Sequence, residues 1–335
     1  MPAFRRVEVH TKSNDFRKAT HIVTEQELPT PAAGHVLVKN HYAGINATNI
    51  NITSGAYSPA PAPFGCGLEG VGIVIAVGEG VTNIKANMLS PIRAQIDTFA
   101  EYVEVAAVTL IKVPAPVTEV LSLLVRGSSA SVALEQVGRM KQGEETVPVT
   151  AGAGATGQIV VQLAKFAGNH VIGTCSLDEK VEYLKSLGCD RVINYTKEDV
   201  NAVLKAEYPK GVELVFETVG GDMFKAAVNN IAVHGHIIAF GHVLGYQGED
   251  QSKQLSAAET VPILLFRSAS LRGFISDNHI EHLGPHIQRV LNLIESGKLK
   301  VEVDPTPFQG LEGIPDAIDY MFAKKNIDKL VIKLV

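Results

Sequence analysis

Apolar and polar residues alternate along the first third of the chain at the spacing of strands. The runs at 36–42 (V-L-V-K-N-H-Y), 70–78 (G-V-G-I-V-I-A-V-G) and 98–105 (T-F-A-E-Y-V-E-V) are separated by clusters of Gly, Pro, Asn and Thr. This predicts an all-β domain to about residue 122. Over 121–141 the spacing turns helical, with Leu123, Leu124, Ala130, Ala133, Leu134 and Val137 apolar before Gly143. That change marks a domain boundary. From Thr146 onward strand patterns at 146–150, 170–175, 191–195, 214–219, 236–241 and 270–275 alternate with helical stretches, the pattern of a doubly wound parallel sheet. Helical stretches at 285–296 and 314–323 then flank strands at 300–303 and 329–334. A six-stranded sheet is complete by residue 275, so the last segment is assigned back to the first domain. The expected architecture is α/β, with a β-rich domain of residues 1–122 and 277–335 and a Rossmann domain of residues 123–276.

The parallel domain opens on T-V-P-V-T-A-G-A-G-A-T-G-Q, in which Gly152, Gly154 and Gly157 have G-x-G-x-x-G spacing between a strand and a helix. Alone the motif is a weak signal. The second strand, from His170, completes a strand-helix-strand unit of about thirty residues and points to a dinucleotide, its pyrophosphate held by backbone N–H groups at a helix N-terminus. An acid at the end of that second strand would accept a ribose 2'-hydroxyl, but Thr174, Cys175 and Ser176 stand there instead. Ser176 can donate to a 2'-phosphate and Lys180 can supply positive charge, which favours NADPH. The plain alternative for Lys180 is a solvated helix-surface lysine. Ser176 with Glu179 also reads as a capping box. Pro148, inside the first strand, lacks a ladder donor and makes the register there irregular.

Composition narrows the partners. At 335 residues, 46% hydrophobic and 19% charged, the chain is long and apolar enough for two cores. A net charge of -5 leaves no basic stripe for nucleic acid or an anionic membrane. Cys66, Cys175 and Cys189 form no disulfide-like or metal-like spacing. The first ten residues lack the apolar core of a secretion signal and no run approaches a membrane span, so the expected compartment is the cytoplasm. His279, His282 and His286 with Glu281 invite a metal reading, but Gly284 and Pro285 interrupt the helix that would align them. The polar stretch from Leu244 to Thr260 follows the fifth strand and predicts a mobile flap without secondary structure.

Several runs carry a family resemblance: G-I-N-A-T-N-I-N-I-T-S-G-A-Y at 44–57, G-L-E-G-V-G-I-V at 67–74, A-G-A-G-A-T-G-Q at 151–158 and E-T-V-G-G at 217–221. With C-S-L-D-E-K at 175–180 and L-G-C-D-R-V-I-N-Y at 187–195, the sequence resembles the medium-chain dehydrogenase/reductase superfamily. Within it, the likeness is to the zinc-free quinone oxidoreductase branch, with its zeta-crystallin-like and prostaglandin reductase 3-like members. In that superfamily the β-rich domain is GroES-like. Zinc-dependent members place a cysteine where Asn46 stands and a histidine where Leu68 stands, so the resemblance implies catalysis without metal. It further implies that Gly152, Gly154, Ala155, Thr156 and Gly157 cradle the pyrophosphate, and that Ser176, Lys180 and Tyr195 surround the 2'-phosphate. Thr218, Phe240 and Tyr246 follow the fourth and fifth strands, Phe274, Ile275 and Ser276 lie beside the nicotinamide, and Ser129 and Asn326 make further cofactor contacts. Two departures bear on these last two: Arg126-Gly127-Ser128-Ser129 replaces S-G-x-T, and Asp328-Lys329 replaces Gly-Lys.

A dinucleotide site with no evident hydrolytic constellation leaves hydride transfer. Asn46, Tyr57 and Tyr246 are the candidate donors to the carbonyl oxygen on which charge develops. The expected activity is NADPH-dependent reduction of quinones or α,β-unsaturated ketones by a cytoplasmic homodimer. The alternatives are an enoyl-thioester reductase and a non-catalytic, crystallin-like NADPH-binding protein.

Overall fold

The computed structural model describes residues 3–57, 60–82, 84, 88–89, 97–112, 118–248 and 255–334, and divides into Met1–Val125 with Glu302–Val335 and, separately, Arg126–Val301. In chain order the first unit contributes β1 (Phe4–Val9), β2 (Thr20–Glu25), β3 (His35–Gly44), β4 (Phe64–Gly65), β5 (Gly70–Val77), β6 (Met88–Leu89), β7 (Tyr102–Ala106) and β8 (Ile111–Lys112). The second contributes β9 (Thr146–Val149), β10 (His170–Cys175), β11 (Arg191–Asn194), β12 (Val212–Glu217), β13 (Ile231–Ala239) and β14 (Ser270–Gly273). The chain then returns to the first unit with β15 (Phe308–Gln309) and β16 (Val331–Lys333).

In the first unit β1 pairs with β2 and β4, while β15, β16, β3, β5, β6 and β8 form a second sheet in that order, with β7 also on β3. Alternation fixes the register of β3 and β7. Val36 and Val38 face Val105 and Val103, and all four are buried against Val74, Val81 and Ile84. Its first segment is not all-β as the alternation predicts, because it also carries short helices at Phe16–Ala19 and Asn49–Thr53; the helix expected near 314–323 is present at Ile314–Phe322. The strand expected at 300–303 shrinks to one bridge, Val303 to Lys329.

In the second unit the sheet order is β11-β10-β9-β12-β13-β14 with every pairing parallel, the doubly wound order of a dinucleotide fold. Val147, Val149, Val171, Leu214, Phe216 and Ile238 form its buried centre with Ile159, Val160 and Leu163 of the helix Gly157–Phe166. Pro148 sits in the central strand and leaves its mark. The Thr150 N–H donates to Phe216 on β12, so alternation turns Pro148 toward β12 as well, and β9 meets β12 at the single pair Val149–Phe216. Thr146, next on that side, finds the Glu213 carboxylate instead at 2.8 Å.

The boundary expected at 277 moves to 301/302. The reason is the helix Ile280–Glu295, which buries Leu283, His286 and Val290 and, through Leu293 and Ile294, packs on the core of the parallel domain. The His286 Nδ1 lies 2.7 Å from the Ser131 hydroxyl on the helix Ser129–Val132. The flap expected at 244–260 is helical at both ends, Val243–Tyr246 and Ala257–Arg267, the latter started by a capping box of Ser256 and Glu259. Its residues 249–254 lie outside the described residues. Among the described residues no helix is long and apolar enough to cross a membrane.

Candidate functional site

The glycine turn leaves β9 through Thr150 and bends at Ala151, whose φ of 49° is left-handed. The bend is held from β10: the Ala151 N–H donates to the Thr174 hydroxyl at 3.1 Å and the Gly152 N–H to the Thr174 carbonyl at 2.9 Å. Gly157 opens the helix, and a Cβ there would stand 2.7 Å from Gly152. A Cβ on Gly152 would meet Gly173 and Leu184 at 3.2–3.3 Å, whereas on Gly154 it would meet the Ala151 carbonyl at 3.1 Å. Gly157 is thus needed for helix-turn packing, and Gly154 keeps the turn's surface bare. Thr156 occupies the N-cap without spending its hydroxyl on the cap. The positive end of the helix dipole and the bare backbone of the turn meet at Ala155 and Thr156, which suits an anion.

Ser176 and Tyr195 follow β10 and β11, and the pairing of Cys175 with Asn194 sets them side by side at the same sheet edge. The expected capping box fails here. Leu177 takes the N-cap of the helix Asp178–Ser186 and no side chain caps it, because Asp178 is drawn to Asn194 at 3.0 Å and Lys197 at 2.6 Å. Lys197 also holds the Asp178 carboxyl below its ordinary range. Ser176 is released from capping. Lys180 is only 7% exposed, which removes the reading of a solvated surface lysine. Thr174, Cys175 and Ser176 put no carboxylate at the strand end itself, and the nearby Asp178 carboxylate is held by Asn194 and Lys197.

At the ends of β12, β13 and β14 a row of rings runs Phe216, Phe240, Phe274 and His279, with centroids 4.8, 5.1 and 5.4 Å apart. Ile275 is exposed, and the Ser276 hydroxyl donates to Asp277 at 3.3 Å. Thr218 joins Thr150, whose hydroxyl accepts from its N–H at 2.8 Å. Tyr246 accepts at its hydroxyl from the His242 N–H at 3.4 Å and keeps its own proton to donate. Ser129 is buried inside a helix. Sequence reasoning missed Glu217, which accepts from the Val219 and Gly220 N–H groups at 2.8 and 2.9 Å and from the Thr150 hydroxyl at 3.3 Å. Burial pushes its carboxyl up, and those bonds pull it back. Its signal was an acid ending the apolar run Leu214–Phe216.

In the other unit Asn46 lies in a buried polar cluster. Its Oδ1 accepts from the Lys329 ammonium at 3.2 Å, its Nδ2 donates to Glu69 at 2.8 Å and more weakly to the Gly44 carbonyl at 3.4 Å, and its N–H donates to Asn49 at 2.7 Å. Lys329 also pairs with Glu69, both wholly buried, and donates to the Ile45 carbonyl at 2.9 Å. Tyr57 is 45% exposed and its N–H donates to the Asn51 carbonyl. The Asn326 amide is spent on the Asp328 carbonyl at 3.0 Å, inside a turn where Asp328 has a φ of 72°. The sequence marked Lys329 only as half of a departure. The signal for the pair was Glu69, a carboxylate within an apolar run.

Two family models match the chain: the alcohol dehydrogenase GroES-like domain over residues 32–89 and the zinc-binding dehydrogenase over residues 155–295. Prostaglandin reductase-3 of Mus musculus is 41% identical over 329 residues, covering 96% of this chain and 87% of its own. The chain belongs to the medium-chain dehydrogenase/reductase superfamily. A second member, the probable quinone oxidoreductase of Leishmania amazonensis, is 38% identical over 336 residues, 99% of this chain and 98% of its own. The superfamily fold is shared with Escherichia coli quinone oxidoreductase complexed with NADPH, with a TM-score of 0.83 at 25% identity over 98% of this chain and 99% of that one. These likenesses place the chain with the quinone oxidoreductase branch.

Despite the description of the second model, this member's residues do not fit catalytic zinc. Where zinc-dependent members have a thiolate, the Asn46 Oδ1 is turned to an ammonium, and Leu68 offers no lone pair. Among the described residues no three His, Cys, Asp or Glu side chains gather as a metal site.

Proposed function

We propose that this protein reduces quinones or α,β-unsaturated ketones with NADPH by direct hydride transfer and without metal. The observation that carries the reading is the uncharged end of β10, with Ser176 outside the helix cap and Lys180 buried in the first turn of the helix that follows. The names of the relatives, a prostaglandin reductase and quinone oxidoreductases, agree with it. Gly152, Gly154, Ala155, Thr156 and Gly157 hold the pyrophosphate, and Ser176, Lys180 and Tyr195 hold the 2'-phosphate. Thr218, Phe240, Phe274, Ile275 and Ser276 bound the nicotinamide. The bound cofactor supplies the hydride.

The protein's own part is to orient and to stabilise. Charge develops on the carbonyl oxygen, and the Tyr246 hydroxyl, the hydroxyl of half-exposed Tyr57 and the Asn46 amide are its donors in this reading. Ser129, buried in the helix Ser129–Val132, and Asn326, whose amide also donates to the Asp328 carbonyl, are the further cofactor contacts of this reading. The protein acts in the cytoplasm as a homodimer, which would cover the edge strand β14 and the bare Val261, Leu265 and Phe266 of the helix Ala257–Arg267.

The test is cofactor absorbance with chelator-treated protein, a small quinone and an α,β-unsaturated ketone, each with NADPH and NADH. Oxidation of NADPH by either acceptor, indifferent to chelator, is expected. Tight NADPH binding with no turnover would sink the reductase reading, and turnover confined to enoyl thioesters would redirect it.

A further inference from the structure

We infer that Lys329 and Glu69 are positioning residues for Asn46: together they fix its amide in one orientation, and the Lys329 ammonium strengthens it as a donor to the substrate carbonyl. The inference rests on the hydride-transfer reading above. The two ends of a carboxamide have nearly the same shape, so packing alone does not choose between them. Here charge chooses. The ammonium stands at Oδ1 and the carboxylate at Nδ2, and a flipped amide would set like polarity against both.

The ammonium contact also acts on strength, while Glu69 acts on orientation. An ammonium bonded to Oδ1 draws electron density from the amide nitrogen, and in a low-dielectric interior such a chain of hydrogen bonds polarises each member. Glu69 and Lys329 are 0% exposed and Asn46 is 7% exposed. One Nδ2 hydrogen is spent on Glu69. The other reaches the Gly44 carbonyl at 3.4 Å, a long bond that a developing oxyanion outcompetes.

Stability alone is a weak account of the pair. A buried ion pair is commonly matched or bettered by apolar residues of similar volume, because desolvation offsets its attraction. The fold nevertheless makes room for it at Gly44, where a Cβ would stand 2.6 Å from the Lys329 Nζ. Lys329 reaches the cluster from just before β16, and the Ile45 N–H donates to Leu330 at 3.0 Å, so the chain's last strand fixes the loop that carries Asn46.

The experiment compares Asn46→Ala, the double variant Glu69→Leu/Lys329→Met, and the triple variant, in quinone reduction and in NADPH binding by fluorescence. The double variant is expected to bind NADPH with unchanged affinity and to lose about 10- to 100-fold in kcat. Adding Asn46→Ala to it should cost nothing more. A double variant with full kcat, beside an Asn46→Ala variant that has lost it, overturns the positioning role and leaves the reductase reading standing. If Asn46→Ala keeps full kcat while the protein turns over quinone, the donor role of Asn46 falls and this inference with it. A readout independent of activity and of any variant's folding is the side-chain amide spectrum of wild-type protein labelled with 15N-asparagine. One Asn46 Nδ2 proton should lie downfield of free asparagine, and a free-asparagine shift would refute the geometry.

Discussion

The carboxylate of Glu217 accepts a hydrogen bond from the backbone N–H of Gly220 at 2.9 Å, closing the turn that follows β12. Gly220 and Gly221 both have positive φ, 86° and 54°, so the turn needs glycines and something to hold them. Replacing Glu217 with Leu leaves the Val219 and Gly220 N–H groups and the Thr150 hydroxyl without that acceptor. The expected cost is about 2–4 kcal/mol in urea denaturation. Glu217→Gln, which keeps an acceptor oxygen, should cost clearly less. Equal stability of wild type and the Leu variant would show that the turn is held otherwise.

The glycines of the cofactor turn should separate into packing and binding. A Cβ at Gly157 would sit 2.7 Å from the Gly152 backbone, so Gly157→Ala displaces the helix start and should cost about 3 kcal/mol of stability. At Gly154 the nearest atom is the Ala151 carbonyl at 3.1 Å. Gly154→Ala should leave the melting temperature within a few degrees of wild type while raising the dissociation constant for NADPH at least tenfold, by filling the space a pyrophosphate needs. Calorimetry and fluorescence titration on the two variants read this directly, and a reversed pattern would reject the division.

What the sequence announced was local. The glycine spacing, the alternation in β3 and β7 and the uncharged residues after β10 follow from neighbours within one element, and each reappears in the fold. The failures are tertiary. Ser176 and Glu179 have the spacing of a capping box, yet the chain enters the helix through Leu177, because Asn194 and Lys197 on the next strand and turn claim Asp178. The helix Ile280–Glu295 went to the wrong domain because its apolar stripe says that it packs without saying on what. Lys329 and Glu69 are 260 residues apart, and no local pattern joins them.

Lys180 should decide between the two nicotinamide cofactors. Its side chain is buried in the first turn of the helix Asp178–Ser186, so Lys180→Met keeps the packing of the stem and removes only the charge. One charge-assisted hydrogen bond is worth about 1.5–3 kcal/mol, roughly a 10- to 100-fold rise in KM for NADPH. The KM for NADH, which lacks the 2'-phosphate, should move less than about threefold. Parallel rises in both would remove Lys180 from recognition of the phosphate.

Stability should depend on pH through Asp97, which lines a cavity of about 280 Å³ with Phe4, Arg6, Glu25 and Tyr102. Burial pushes its carboxyl up to about 7, with Arg6 opposing and Glu25 and Glu8 assisting. Arg6 is already engaged by Glu8 and Glu25, both at 2.8 Å, and Asp97 Oδ1 has no hydrogen-bond partner. The folded chain therefore binds the Asp97 proton more tightly than the unfolded chain does, and the sign follows from linkage. The contribution of this proton is complete below the ordinary value of 3.8 and is lost as the pH rises through about 7. Asp97→Asn is neutral throughout and is spared that loss. Its stability relative to wild type should rise by on the order of 2–4 kcal/mol between pH 4 and pH 8, read by urea denaturation at each pH. A difference that stays constant across that range would mean that Asp97 is ionised in the fold, with Arg6 prevailing over burial.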